Sequence, residues 1–409
     1  MSKQLIVIGG GAAGFFCAVN VAKARPDLVV RILEKQSKVL QKVKVSGGGR
    51  CNVTNACFQP AELLKKYPRG KNFLKKAFSY FSTKDTIAWF QQRGVALITE
   101  PDGRMFPASH SSQTIIDCLL REATAYGVHL NLNTEVVQVE KKADQFYISR
   151  KNADVIIADY LVVASGGFPK SAQYEWLTSL GHTIEQPSPS LFTFNTPSSS
   201  LKELMGVVVE HAIVKIEGSK LTEQGPVLIT HWGLSGPAIL RLSAWGAREL
   251  QQSSYSFKVI VNWLGQPESD IRERWSTIRI RQGANRLDAK NPFGLPNRLW
   301  DYLLKECAIN AQIKWSELPG KEQNKLIHIL TTHLIAVEGK TTFKEEFVTC
   351  GGISLTEIEP STMESKLVKG LYFGGEIMDV DGITGGFNFQ HAWTSGYIAS
   401  KNIGKQPVQ

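Results

Sequence analysis

A glycine pattern close to the N-terminus most constrains the fold of this chain. Residues 5–8 read Leu-Ile-Val-Ile, a short apolar run without charge, as a parallel strand buried on both faces requires. Gly9, Gly11 and Gly14 follow at once, in the spacing GxGxxG, and a helical pattern opens behind them. Gly9 allows the tight turn, Gly11 admits a pyrophosphate to the backbone, and Gly14 lets helix and strand pack closely. The helix start offers free N–H groups and the positive end of its dipole to the phosphates. A second strand, 28–33, ends at Glu34, twenty residues past Gly14. A carboxylate there accepts hydrogen bonds from an adenosine ribose. It would also repel a 2′-phosphate, which argues against NADP at this first site. The alternative is a glycine-rich turn without a ligand, but the strand, helix and acid at the right distances favour a dinucleotide, FAD or NAD. The residues expected to hold it here are Gly9, Gly11, Ala13, Gly14, Glu34 and Lys35.

A second stretch points the same way. Residues 46–55 read SGGGRCNVTN. Three successive glycines, Gly47, Gly48 and Gly49, are costly inside a helix or strand and suit a loop whose backbone touches a flat or charged ligand. Ser46, Arg50 and Asn52 supply donors beside it, and Lys42 and Lys44 add positive charge near the phosphates. Cys51 and Cys57 raise the alternative of a redox disulfide of the kind some flavin reductases carry. Five residues separate them rather than the usual four, so Cys51 reads as a small residue lining the ligand.

The 409 residues suffice for two or three domains. No run approaches eighteen apolar residues, so no membrane-spanning helix is expected. The first strand begins within about five residues, which leaves no room for a signal peptide. Six scattered cysteines without a CxxC pair fit a reducing cytoplasm and give no zinc signature, so no metal is expected. The net charge of +10 allows an anionic partner such as RNA, or simply a basic surface.

Helices are expected over 60–67, 72–81, 83–93 and 112–126. Arg104 and His110 lie between them as candidate substrate contacts, although Arg104 could equally pair with a nearby carboxylate. Strands 135–140, which includes Val137, and 146–150 form a small crossover sheet. Residues 159–167 form a buried strand running into Ala164, Ser165 and Gly166, a turn at the ligand edge of a doubly wound sheet. From 191 to 264 short β-like runs predominate. Residues 267–342 read as helical and contain the densest basic region: Arg272, Arg274, Arg279, Arg281, Arg286, Lys290 and Arg298. A solvated face is the default for such a region, and RNA phosphate contacts are the alternative.

The nucleotide-fold signals return near the C-terminus. Residues 370–376 read GLYFGGE and 379–390 read DVDGITGGFNFQ. An acid at Glu376, after Gly375, suits a ribityl chain, with Asp379 close behind. Gly385 and Gly386 open a helix whose first residues, Phe387, Asn388 and Phe389, present N–H groups to the charge of a reduced flavin. NAD enzymes do not need this second element, so the cofactor reads as FAD. No second GxGxxG is present, and NAD(P)H is expected as a transient electron donor.

With HWGLSGPA at 231–238 and TMESK at 362–366, these motifs resemble the BaiN/YhiN-type flavoproteins, a family of NAD(P)/FAD-dependent oxidoreductases, from end to end. The resemblance implies an α/β fold with a Rossmann-like FAD-binding domain of the glutathione-reductase-like class. It also implies an inserted β-barrel and a helical subdomain. The boundaries expected are 1–190 plus 346–409 for the FAD domain, 191–265 for the barrel and 266–345 for the helices. The family's activities include reduction of steroid-like enones, oxidation of aminoacetone and reduction of uridine in ribosomal RNA. Here the turn Gly166-Gly167-Phe-Pro-Lys-Ser is shorter than in many members, which bears on the substrate. The expectation is hydride transfer to an activated C=C bond of RNA or of a small molecule. The rival class is a non-catalytic, FAD-holding RNA-binding protein. Cys51, Arg104, His231 and His391 are the candidate proton donors, and the oligomeric state is left open.

Overall fold

In the computed structural model, which describes residues 2–341 and 348–405, the apolar N-terminal run is the central strand of a parallel sheet. The strands are β1 (Gln4–Ile8), β2 (Val29–Leu33), β3 (His129–Asn131), β4 (Tyr160–Val163) and β5 (Leu371–Phe373). Their spatial order is β5–β4–β1–β2–β3, all parallel. Leu5, Ile6 and Val7 are fully buried, which explains the lack of any polar residue among them. The chain moves to one side of β1 to form β2 and to the other to form β4. The carboxyl ends of these strands therefore flank a switch point, where ligands of doubly wound folds lie.

Helix α1 (Ala12–Ala24) packs against the C-terminal helix α2 (Phe387–Gly404). Close approach is possible because Gly396 has no side chain: a Cβ there would sit 2.6 Å from the Ala13 carbonyl oxygen. Phe16 of α1 meets Trp89 and Trp393 at ring-centroid distances of 4.4 and 5.2 Å. These elements belong to one compact unit, made of residues through Ser190 and from 348 onward. The crossover sheet has a third strand, Ala153–Ala158, besides the two expected.

Residues from Leu191 through 341 form a second unit. Its seven strands run in the order His333–Glu338, Ser256–Asn262, Val208–Ile216, Thr222–Ile229, Gly233–Ser235, Thr193–Asn195, Lys340–Thr341. The first and last are successive pieces of one segment broken only at Gly339, so the sheet closes on itself as a barrel. The helical reading of 267–342 is corrected at its end, since 333–341 are strands. The inward side chains His333, Ile335 and Val337 alternate with outward ones. That period of two lasts only six residues and follows the helix Gly320–Thr332 without a break, so it is masked in the sequence. Trp275, Trp300 and Trp315 of the helical stretch share a core with Val214, Val259 and Val261 of the sheet. The 191–265 and 266–345 segments thus make one unit rather than two, and the expected break at 345/346 lies outside the described residues. Among the described residues no helix is long and apolar enough to cross a membrane, and no cluster of three or more His, Cys, Asp or Glu could hold a metal.

Candidate cofactor site

The first unit gathers its glycines at the carboxyl ends of β1 and β4. Gly9 has φ +108°, and a Cβ on it would overlap the Ala164 carbonyl. A Cβ on Gly14 would overlap the Gly9 carbonyl, so this glycine is what brings α1 onto β1. Gly11 differs from both. Its φ is −93°, and the position of its missing Cβ has no atom within 4 Å. The open space therefore lies before the N-terminus of α1, where the N–H groups have no helical acceptors. A cavity of about 290 Å³ opens beside this turn, lined by Gly9, Glu34, Lys35, Val137 and Ser165. Phe168 and Trp176 also line it, and neither was marked by the sequence motifs. Glu34 is fixed at the wall, because Oε2 accepts from Gly10 N and Oε1 from Gln36 N, each at 2.8 Å. Each oxygen keeps a lone pair for a ligand hydroxyl.

The second glycine run is a loop, as expected. Gly47, Gly48 and Gly49 have φ of +58°, +67° and +84°, the left-handed region that glycine enters without strain. Nothing lies within 4 Å of the missing Cβ of Gly48 or Gly49, so bare backbone faces open space. The stretch then reaches the start of α2, more than 300 residues later in the chain. Asn55 Nδ2 donates to Gly385 O at 3.1 Å, Thr54 Oγ1 to Gln390 Oε1 at 2.6 Å, and Trp393 Nε1 to Val53 O at 2.9 Å. Asn52 Oδ1 accepts from Gly386 N at 2.9 Å while its Nδ2 donates to Thr54 O. Gly386, at φ +93°, must be glycine here, since a Cβ would lie 2.5 Å from Thr54 O.

Several of the polar side chains expected to touch the ligand also brace these loops. Glu376 pairs with Lys42 through Oε2 at 2.6 Å and accepts from Thr349 N through Oε1 at 2.7 Å. Asp379 accepts from Gly351 N. Ser46 Oγ donates to Val43 O, and Asn388 closes on both the N–H and the carbonyl of Gly382. Arg50 pairs with Glu100 at 2.6 Å and lies 4.0 Å over the Phe106 ring. Phe387 packs on Tyr67 and Phe389 stacks on Trp393. Gly166, at φ +74°, and Gly375, whose Cβ position lies 3.0 Å from that of Ala13, turn the chain without side chains. Lys44 is exposed.

None of the four candidate proton donors lines the cavity. Arg104 is bound to Glu100 and Asp102, the surface pairing that was its alternative. Cys51 is fully buried at φ +62°, and burial pushes its thiol up to about 12. Cys51 and Cys57 are both free thiols. His231 is exposed on the second unit with its ring 4.3 Å from Trp232. His391 is buried in α2 with Nε2 at 3.1 Å from Gly375 O, and desolvation lowers it to about 4.

A family model described as the HI0933-like protein Rossmann domain matches residues 3–402. The chain belongs to this family. The membership agrees with the flavoprotein oxidoreductase resemblance carried by the glycine motifs. A ribosomal RNA dihydrouridine synthase of Escherichia coli (strain K12) is 31% identical over 408 residues, which cover 97% of each chain. A 3-dehydro-bile acid delta(4,6)-reductase of Clostridium scindens is 27% identical and covers 99% of this chain and all of its own. The solved 3-ketosteroid-delta4-(5alpha)-dehydrogenase from Rhodococcus jostii RHA1 has a TM-score of 0.52 at 13% identity, covering 99% of this chain and 97% of that one. That likeness establishes a shared fold for this HI0933-like chain.

Proposed function

We propose that this protein is an FAD-dependent reductase that takes electrons from NAD(P)H and saturates an activated C=C bond, with uridine in ribosomal RNA as the substrate. The cofactor assignment is supported by the bare backbone of Gly48 and Gly49 and the open space at Gly11, in the same unit as the Gly385–Gly386 turn that Asn52 and Asn55 tie to the 46–55 stretch. The RNA assignment is supported by the E. coli relative of nearly equal length. FAD, when bound, supplies the hydride carrier between the nicotinamide and the substrate. The chain itself supplies binding and electrostatics. The α1 N-terminus meets the pyrophosphate charge, Glu34 takes the ribose, and the α2 N-terminus opposes negative charge on the ring system. NAD(P)H and ribosomal RNA are both cytoplasmic, which is the compartment we infer.

Glu34→Ala is expected to weaken FAD by about 1–3 kcal/mol, the worth of a charged hydrogen bond. Titration of the apoprotein with FAD measures it, and unchanged affinity would put the ribose elsewhere.

A small enone is the second reading, favoured by the full-length bile-acid reductase relative. The test reduces the flavin anaerobically with NADH or NADPH and mixes it with uridine-containing RNA or with a 3-keto-enone. Reoxidation by RNA, with two hydrogens gained at uridine by mass spectrometry, is the expected result. Reoxidation by the enone alone selects the second reading, and reoxidation by oxygen alone defeats both.

A further inference from the structure

The second unit carries a basic cleft of its own. Between Ile271 and Trp300 the chain has seven Arg and Lys residues (Arg272, Arg274, Arg279, Arg281, Arg286, Lys290, Arg298) and two acids, Glu273 and Asp288. The structure sorts these cations into two sets. Arg272 pairs with Glu268 at 2.7 Å and also donates to Asn324. Arg279 donates to the Ser316 carbonyl at 2.7 Å and to Gln323. Arg286 pairs with Asp288 at 2.5 Å, and Arg298 donates to the carbonyls of Glu203 and Met205. Arg272, Arg279 and Arg298 fasten the stretch to other segments of its unit, and Arg286 is neutralised within its own segment.

Arg274, Arg281 and Lys290 form the other set. Arg274, Thr277 and Arg281 follow one another at three and four residues on the helix Glu268–Gln282, so they share one edge of it. Together with Lys290 and Asn291 they line a cleft of about 330 Å³ that contains no carboxylate. Arg274 donates to the neutral Gln266 Oε1 at 2.8 Å. Neither Arg281 nor Lys290 is paired with an acid among the described residues, and all three cations are exposed. Asp270, four residues before Arg274 on the same edge, accepts from Ser269 and forms no ion pair with Arg274 among the described residues. Three unneutralised cations around one concave space, with a hydroxyl and an amide among them, match the charge and hydrogen-bonding needs of phosphate oxygens. Their spread over a cleft suits successive phosphates of a chain.

We propose that this cleft binds the phosphodiester backbone of the RNA substrate through Arg274, Arg281 and Lys290. The proposal rests on the RNA reading above and names the surface that would hold that RNA. Arg272, Arg279 and Arg286, equally basic in sequence, are assigned no phosphate.

The test measures fluorescence anisotropy of a labelled single-stranded RNA against holoprotein over a range of salt. The triple variant Arg274→Gln, Arg281→Gln, Lys290→Gln is expected to flatten the log–log salt slope by about 2 units, at roughly 0.7 per phosphate contact. That makes binding up to about a hundredfold weaker at about 0.1 M salt. The matched variant Arg272→Gln, Arg279→Gln, Arg286→Gln is expected to keep the wild-type slope. Circular dichroism and flavin absorbance check that both variants are folded. Equal slopes in wild type and the first variant, or equal flattening by both variants, would overturn the cleft assignment while leaving an RNA substrate intact. No RNA binding by wild type at low salt would remove both the cleft and the RNA reading. Inorganic phosphate titrated alone by calorimetry separates the other source of this chemistry. Binding of phosphate at micromolar strength, lost in the first variant and blocking no RNA, would make the cleft a free-anion site and overturn the proposal.

Discussion

Gly11→Val is expected to purify folded and colourless. The reasoning separates three glycines that look alike in the motif. Side chains at Gly9 and Gly14 would overlap backbone carbonyls, so substitutions there damage the strand–helix packing itself. At Gly11 the backbone is extended, with φ −93°, and no atom stands within 4 Å of the missing Cβ. A valine there strains nothing in the protein. Its methyl groups instead fill the space before the α1 N-terminus and hold the pyrophosphate off the N–H groups. The loss should reach at least a hundredfold in FAD affinity, about 2.7 kcal/mol at 25 °C. Gly14→Val, by contrast, is expected to give insoluble or unfolded protein. Absorbance near the flavin bands, read with circular dichroism, distinguishes the two. A yellow Gly11→Val protein with full flavin would show that the cofactor does not use this turn.

The contrast among these glycines also shows what sequence can reveal here. The β1–α1–β2 unit was legible because an uncharged strand, a glycine spacing and an acid each have their own physical cause, and the three agree. The 46–55 loop was legible for a related reason, since three consecutive glycines suit few structures other than an exposed backbone turn. The roles of Glu376, Asn388 and Arg50 were not legible. Each is a polar residue beside a glycine turn, and sequence does not say whether it faces a ligand or a neighbouring loop. Their partners, Lys42, Gly382 and Glu100, lie 334, 6 and 50 residues away, so only the fold reveals them. The same holds for the basic stretch. Arg272 and Arg274 are two residues apart, yet they occupy opposite edges of one helix, one fastened to Glu268 and the other open to a cleft. The 333–341 strands were missed because a six-residue alternation is too short to stand out beside an unbroken helix.

Stability is expected to fall on mild acidification, beginning above the range where carboxylates titrate. His391 and His333 are buried, and desolvation lowers both from 6.5 to about 4. The contacts agree with neutral rings. Trp263 Nε1 donates to His333 Nδ1 at 3.1 Å, a bond that a proton on Nδ1 would abolish. His391 uses Nε2 against the Gly375 carbonyl, and its Nδ1 is buried without a partner among the described residues, so a proton there would be an unpaired charge in the core. His182, held between Glu357 and Ser365, is also lowered by burial. For a histidine whose folded pKa lies below its unfolded one, the unfolded chain binds more protons between the two values. Stability is therefore complete above about pH 6.5 and is lost as pH falls towards 4, at about 1.4 kcal/mol per pH unit for each group. The total is roughly 3 kcal/mol per histidine. Urea unfolding from pH 7.5 down to about 4.5, followed by hydrogen–deuterium exchange in α2, reads the unit that carries His391. His391→Gln keeps a donor towards Gly375 O and lacks the titrating nitrogen. It should flatten the acid slope in α2 by close to one proton, whatever it does to stability at neutral pH. Equal slopes in wild type and variant would mean that His391 is already protonated in the fold, or that the unfolded chain does not titrate as a free histidine.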